Sequence, residues 1–254
     1  MGTQKIPILM YHMVKDRLTE RERKVHVSKK TFEKQIRAFA KRDFTAISLA
    51  DIYNAFVTGD ALPANPVVIT FDDGYLDNFE IAFPILKTYG FTATIFLPTH
   101  LIDNKEHTIF NKHALMNWHE IKRMHGEGIC FASHTATHPH LTTLNDEEIL
   151  NELVTSKELV ERYLGEKCDF MAYPYGDFDT KVRDMTGKAG YLAACSVMIG
   201  LNKQGDDLFS LKRIPIIDLD SPSRFLRKVT FGVWEAPWTI WPRYYLKRSF
   251  EKLG

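Results

Sequence analysis

One repeated order constrains the fold of this chain most. A short apolar run ends in polar residues, and an amphipathic segment follows. Eight runs read as strands: Ile6–Met10, Phe44–Ser48, Val67–Phe71, Thr92–Leu97, Ile129–Ala132, Asp169–Tyr173, Leu192–Val197 and Leu211–Ile217. Several are apolar without alternation, the pattern of strands buried on both faces. Between them, Phe32, Ile36 and Phe39 recur at helical spacing behind a Ser28 cap. Asp77 to Tyr89 reads as a helix ending at Gly90, with Pro84 expected to kink it or begin a new one. Asn145 opens a capping-box start for a helix running to about Leu164. The alternation predicts an α/β chain with a mainly parallel sheet, and 254 residues with about eight strands suit one (β/α) barrel. No linker rich in Gly, Pro and Ser divides the chain. Residues 1–230 are assigned to the barrel and 231–254 to an aromatic, basic tail packed on it.

A barrel of this kind carries its chemistry at the C-terminal ends of its strands. The informative residues are therefore polar ones that directly follow an apolar run. Val67 to Phe71 runs into Asp72-Asp73-Gly74. Neighbouring residues on a strand point to opposite sides, so the two acids should differ in role. Ile129 to Ala132 runs into Ser133-His134-Thr135-Ala136-Thr137-His138-Pro139-His140. His134 and His138 converge on one metal ion if this segment is helical or turns tightly, with a carboxylate as third ligand. The other acid is then free to act as a base. His140 is read as facing solvent. Tyr173-Pro174-Tyr175-Gly176 is a constrained turn at another strand end, able to aim a backbone N–H at an oxyanion. His12 follows the first run and reaches the same rim.

Composition excludes other classes. With 33 basic and 32 acidic side chains the net charge is +1, which argues against a partner of nucleic acid and fits an uncharged ligand better than an anionic polymer. Three cysteines are too few and too scattered for a disulfide framework, and no C-x-x-C pair offers a thiolate zinc site.

These residues resemble a known family, the polysaccharide deacetylases (carbohydrate esterase family 4). Thr70 to Gly74 resembles its first motif and Ser133 to His138 its second. Met171 to Gly176 and Pro7 to His12 are similar to the third motif and the opening strand of the branch that deacetylates bacterial poly-N-acetylglucosamine. The resemblance covers roughly residues 6 to 217. It implies a distorted (β/α) barrel and one divalent metal, usually zinc, with Co2+, Ni2+ or Mn2+ as alternatives. It implies Asp73, His134 and His138 as ligands, Asp72 as general base, the Tyr175 N–H on the oxyanion and His12 as general acid. No histidine follows His140, so the late acid of other members is missing here. Many members carry an arginine just before the third motif, where this chain has Met171 or Ala172; Arg213 is a candidate substitute. Asp218 is a candidate to orient His12. The implied reaction removes the N-acetyl group of an N-acetylhexosamine, polymeric or lipid-linked; an amidohydrolase of the same barrel acting on another small amide is the alternative.

The ends bear on location. Ile6 to Met10 is too short for a signal peptide or a spanning helix, so the chain reads as cytoplasmic. Trp234, Trp238 and Trp241, interleaved with Arg243, Lys247 and Arg248, suit peripheral contact with a membrane or packing on the barrel. The sequence does not address oligomeric state.

Overall fold

The structure, a computed structural model, describes residues 4–103, 109–110 and 113–233. The tail from Trp234 onwards and His107 lie outside the described residues. The strands in chain order are β1 (Ile8–Tyr11), β2 (Val14–Lys15), β3 (Val27–Ser28), β4 (Thr45–Ala46), β5 (Pro66–Phe71), β6 (Thr94–Leu97), β7 (Ile109–Phe110), β8 (His113–Ala114), β9 (Cys130–Ser133), β10 (Phe170–Ala172), β11 (Ala193–Cys195) and β12 (Ile214–Pro215). The helices are α1 (Lys29–Ala40), α2 (Leu49–Val57), α3 (Phe83–Tyr89), α4 (Trp118–Gly126), α5 (Asp146–Leu164), α6 (Thr180–Lys188) and α7 (Pro222–Phe231). No described helix is long and apolar enough to cross a membrane.

Eight strands form one parallel sheet in the order β11-β10-β9-β6-β5-β1-β12, with β4 also on β5. The sheet curls until its ends meet: Leu211, just before β12, makes a parallel bridge to Cys195 of β11. This is the distorted (β/α) barrel that the strand pattern and the resemblance predict.

Alternation explains its two cores. Val67, Ile69 and Phe71 of β5 join the larger cluster, which includes Phe32, Ile36 and Phe39 of α1. Val68 points the other way, into a smaller cluster with Ile8, Phe96, Ala132 and Ala172 inside the barrel. Leu49 and Ile52 of α2 also join the inner cluster and cover the end where strands begin. The site is left to the other end.

The capping predictions hold. Ser28 accepts from the Thr31 N–H, Asn145 and Glu148 form a reciprocal box, and Gly90 ends α3 in the left-handed region at φ 68°. Pro84 begins a new helix, as expected, since α3 starts beside it. Three details differ from expectation. Ahead of α3, Asn78–Ala82 is a π-helical turn and not ordinary helix. The Phe83 N–H donates five residues back to the Asn78 carbonyl, and Pro84 has no N–H to continue the narrower ladder. The last predicted strand shrinks to Ile214–Pro215, because the Lys212 N–H donates to the Asn202 side chain and the Arg213 N–H to the Met198 carbonyl. The stretch from His100 to Trp118 reads as irregular in sequence, yet β7 and β8 pair there as an antiparallel hairpin.

Candidate active site

Three strand ends and one loop assemble the site. After β5 the Asp72 N–H still donates to the Tyr11 carbonyl, so Asp72 keeps the strand alternation and faces inward like Thr70. Asp73 leaves it with φ 75° and Gly74 follows at φ 65°. A Cβ on Gly74 would sit 2.7 Å from Leu97. The two neighbouring acids therefore enter different surroundings.

Asp72 is gripped by Arg213. Two guanidinium nitrogens donate to its two oxygens at 2.6 and 2.8 Å, while Nε donates to the Ser196 carbonyl at 2.9 Å. Arg213 is fully buried. Its place just before β12, beside β1 and β5, brings the fork to Asp72 from the strand next but one. Burial alone would raise the Asp72 carboxyl. Arg213 reverses this, aided by His134 and His12, and holds it below the usual carboxylate range.

Asp73 faces the histidines. Its Oδ1 lies 3.6 Å from His134 Nε2 and 3.4 Å from His138 Nε2. The Ser133–His138 segment does turn tightly. Thr135 and His138 adopt φ 65° and 63°, the Ser133 hydroxyl accepts from the Thr135 N–H, and the Thr135 hydroxyl accepts from the His138 N–H. Burial opposes ionisation of Asp73, and His138, His12 and His134 together outweigh it. Burial, with His138 next to it, lowers the His134 imidazole to about 4, so it is neutral near pH 7.

The donor set fits a divalent metal. Asp73, His134 and His138 are all buried and hold ligand atoms within 4.8 Å of one another, the one such group among the described residues. His134 Nδ1 lies 2.7 Å from the Ala172 carbonyl oxygen, a contact that requires N–H at Nδ1 and leaves the Nε2 lone pair facing Asp73. One carboxylate and two imidazoles form an open set typical of Zn2+ and several other first-row ions.

Tyr175 and Gly176 turn the third motif through left-handed conformations, φ 58° and 64°. Any Cβ on Gly176 would lie 2.3 Å from Val197. The Tyr175 ring meets His138 edge-on at 4.6 Å, and His140 stacks on its face at 4.0 Å. His140 is thus half-exposed and also sits 3.3 Å from Asp177. Among the described residues, four of the six non-glycine residues with positive φ, namely Asp73, Thr135, His138 and Tyr175, belong to these motifs. Such conformations cost energy and persist where packing enforces a particular geometry.

His12 lies on the wall of the same cleft, a cavity of about 630 Å³ that Asp72, Asp73, His134, His138 and Tyr175 also line. Asp218 does not orient it. That carboxylate accepts instead from the Ser28 N–H and hydroxyl at 3.0 and 2.6 Å and from Arg23 at 2.9 Å. The expectation fails because β3 lies between them: the Asp218 N–H donates to the His26 carbonyl and fixes Asp218 on that strand's entry. The ring facing His12 is His26, 6.1 Å between centroids. Burial, then the nearby His12, lowers the His26 imidazole to about 3. Asn78 donates to the His12 carbonyl at 2.9 Å, and Asp77 accepts from the Val14 N–H at 3.1 Å. No sequence signal marks His26 or Asn78, since neither ends an apolar run. His113 of the hairpin lines the cleft as well.

The fold and the site define a parallel (β/α) barrel whose acids and histidines converge at the C-terminal ends of its strands. Comparison with known proteins narrows this further. The polysaccharide deacetylase family pattern matches residues 59–194, more than half of the chain, and the chain belongs to that family of hydrolases. YxkH of Bacillus subtilis (strain 168) is 29% identical over 222 residues, 87% of this chain and 75% of that protein. The poly-beta-1,6-N-acetyl-D-glucosamine N-deacetylase of Staphylococcus aureus (strain MRSA252) is 27% identical over 173 residues, 65% of this chain and 58% of that one. The chain therefore spans little more than half of that relative. Among solved structures, the Streptococcus pyogenes deacetylase PplD in complex with acetate superposes with a TM-score of 0.82 at 26% identity, covering 90% of this chain and 99% of that one.

Proposed function

We propose that the chain hydrolyses the N-acetyl group of an N-acetylhexosamine, within a glycan or on a lipid-linked sugar, to give acetate and a free amine. Asp73, His134 and His138 would hold one divalent metal, zinc first among the candidates. The observation that carries this reading is the division of labour between the adjacent acids. Asp72 is clamped by Arg213, while Asp73 faces two imidazoles. The metal would supply Lewis acidity toward water and the amide carbonyl.

The chain's own groups do the rest. Asp72, kept ionised by Arg213, takes a proton from the attacking water. The Tyr175 N–H donates to the developing oxyanion. His12 gives a proton to the departing nitrogen, which is a poor leaving group as an anion. The acetate complex of the similar PplD and the name of the S. aureus relative support an acetamido sugar as substrate.

The test is acetate release from N-acetylglucosamine, its oligomers and a polyprenyl-linked N-acetylhexosamine. Release should vanish with chelator and return with a divalent ion. No release from any of the three would overturn the reading.

A further inference from the structure

One wall of the cleft is rich in basic side chains. Between Lys15 and Lys29 there are six basic and three acidic side chains, in a protein whose formal net charge is +1. Every acid of this segment is paired. Glu22 accepts from Lys15 at 2.6 Å and from the Thr19 N–H and hydroxyl at 2.8 and 2.7 Å. Glu20 lies 3.4 Å from Arg23, and Asp16 lies 3.9 Å from Lys29. Arg23 is further held by Asp218, which also accepts from the Ser28 N–H. The segment is thus tied down at both ends.

Arg21 and Lys24 stand apart. Both are exposed, both line the cleft that holds His12 and Asp73, and neither has an ion-pair partner among the described residues. The acids that share this cleft are engaged elsewhere: Glu22 with Lys15, Asp72 with Arg213, and Asp73 with the two histidines. A wall with two free cations and no free carboxylate favours a negative group on whatever occupies the cleft. A fork-shaped guanidinium beside an ammonium is the pairing that suits a phosphate or carboxylate.

We infer that Arg21 and Lys24 form an anion-recognition subsite, and that the preferred substrate is an N-acetylhexosamine bearing a phosphodiester or carboxylate close to the acetamido group. This rests on the deacetylase reading and narrows it. Whole-chain neutrality points to an uncharged sugar, but the cleft is read by its local charge. The glycan meets the wall, and the balancing acids are held in pairs there or lie elsewhere on the molecule.

The experiment compares three substrates of similar size with the metal-loaded protein: a neutral N-acetylglucosamine oligomer, the same sugar carrying a phosphodiester, and a fragment carrying a lactyl carboxylate. Both kcat/KM and equilibrium binding are measured, at low and high ionic strength. One or both anionic substrates should be preferred, with the preference shrinking as salt rises. The Arg21→Gln/Lys24→Gln double variant should lower the anionic-to-neutral ratio of kcat/KM about tenfold, and the phosphate and carboxylate arms identify which anion is read. An unchanged ratio, or an equal loss on all three substrates, overturns the subsite and leaves the deacetylase reading intact. Salt-sensitive binding of an anionic fragment that depends on Arg21 and Lys24, without acetate release from any substrate, overturns the deacetylase reading and keeps the subsite.

Discussion

At the scale of single residues, the Arg213–Asp72 pair decides most. A planar fork on a buried carboxylate leaves neither charge uncompensated, and losing one partner costs far more than losing both. Arg213→Ala should destabilise the fold by about 3–5 kcal/mol, read from urea unfolding. Arg213→Lys keeps the charge but loses the fork. In that variant Asp72 should titrate higher, because Arg213 is what lowers it. Since the base must be ionised, the acid limb of kcat/KM should move to higher pH; an acid limb that stays in place would show that Asp72 is not the base. Asp72→Asn should bind metal normally and lose about 100-fold or more in kcat. His12→Ala should lower kcat with little change in stability, and the deficit should be smallest for substrates with a good leaving group.

At the scale of elements, the strand ends were legible because β-strand periodicity exposes them in one dimension. A run of buried positions that breaks into Asp-Asp-Gly or Ser-His needs no knowledge of distant neighbours. The π turn at Asn78–Ala82 was not legible. Its apolar spacing is compatible with ordinary helix, and the wider turn shows only in the Phe83 N–H reaching Asn78. That turn brings Asp77 and Asn78 to the backbone on either side of Met13, where they hold the end of β1 and with it His12. Asp77 carries a penalty for this. Burial pushes its carboxyl up to about 7, more than its bond from Val14 recovers. Its folded value exceeds its unfolded one, so the folded state binds the proton more tightly. Its contribution is fully present below about pH 4 and is lost as pH rises through 7, on the order of 4 kcal/mol in total. Asp77→Asn retains an acceptor for Val14 and removes the ionisation, so urea midpoints of the variant should fall less than wild type between pH 5 and pH 8 (roughly this window by linkage). Parallel pH slopes for the two proteins would refute this account.

At the scale of the whole molecule, the barrel works by closure. Leu211 on Cys195 joins the two ends of the sheet, and this is what carries Arg213 from late in the chain to an acid at position 72. A metal bound by Asp73, His134 and His138 would tie β5 to β9 across the barrel mouth. Saturating divalent metal at about 100 times its Kd should add about 2.7 kcal/mol, a rise in Tm of roughly 5–11 °C for a chain of this size. The rise should disappear in the Asp73→Asn protein. A Tm that ignores metal in the wild type would count against the ligand set.

What the sequence determined by itself was local and periodic. Buried strands announce themselves by composition, caps by a single hydroxyl or amide, and a reactive strand end by an abrupt change from apolar to polar. The order of the motifs was enough to indicate the family. What only the tertiary structure decided was which distant side chains share a space. Arg213 and Asp218 looked equally plausible as supports, each a charged residue near the last strand. Closure of the sheet sent Arg213 inward to Asp72, while the backbone bond from Asp218 to His26 held the latter on the outer wall. Direction at such positions depends on partners far away in sequence, the Asp72 carboxylate for the Arg213 side chain and the His26 carbonyl for the Asp218 N–H, and no local pattern encodes that.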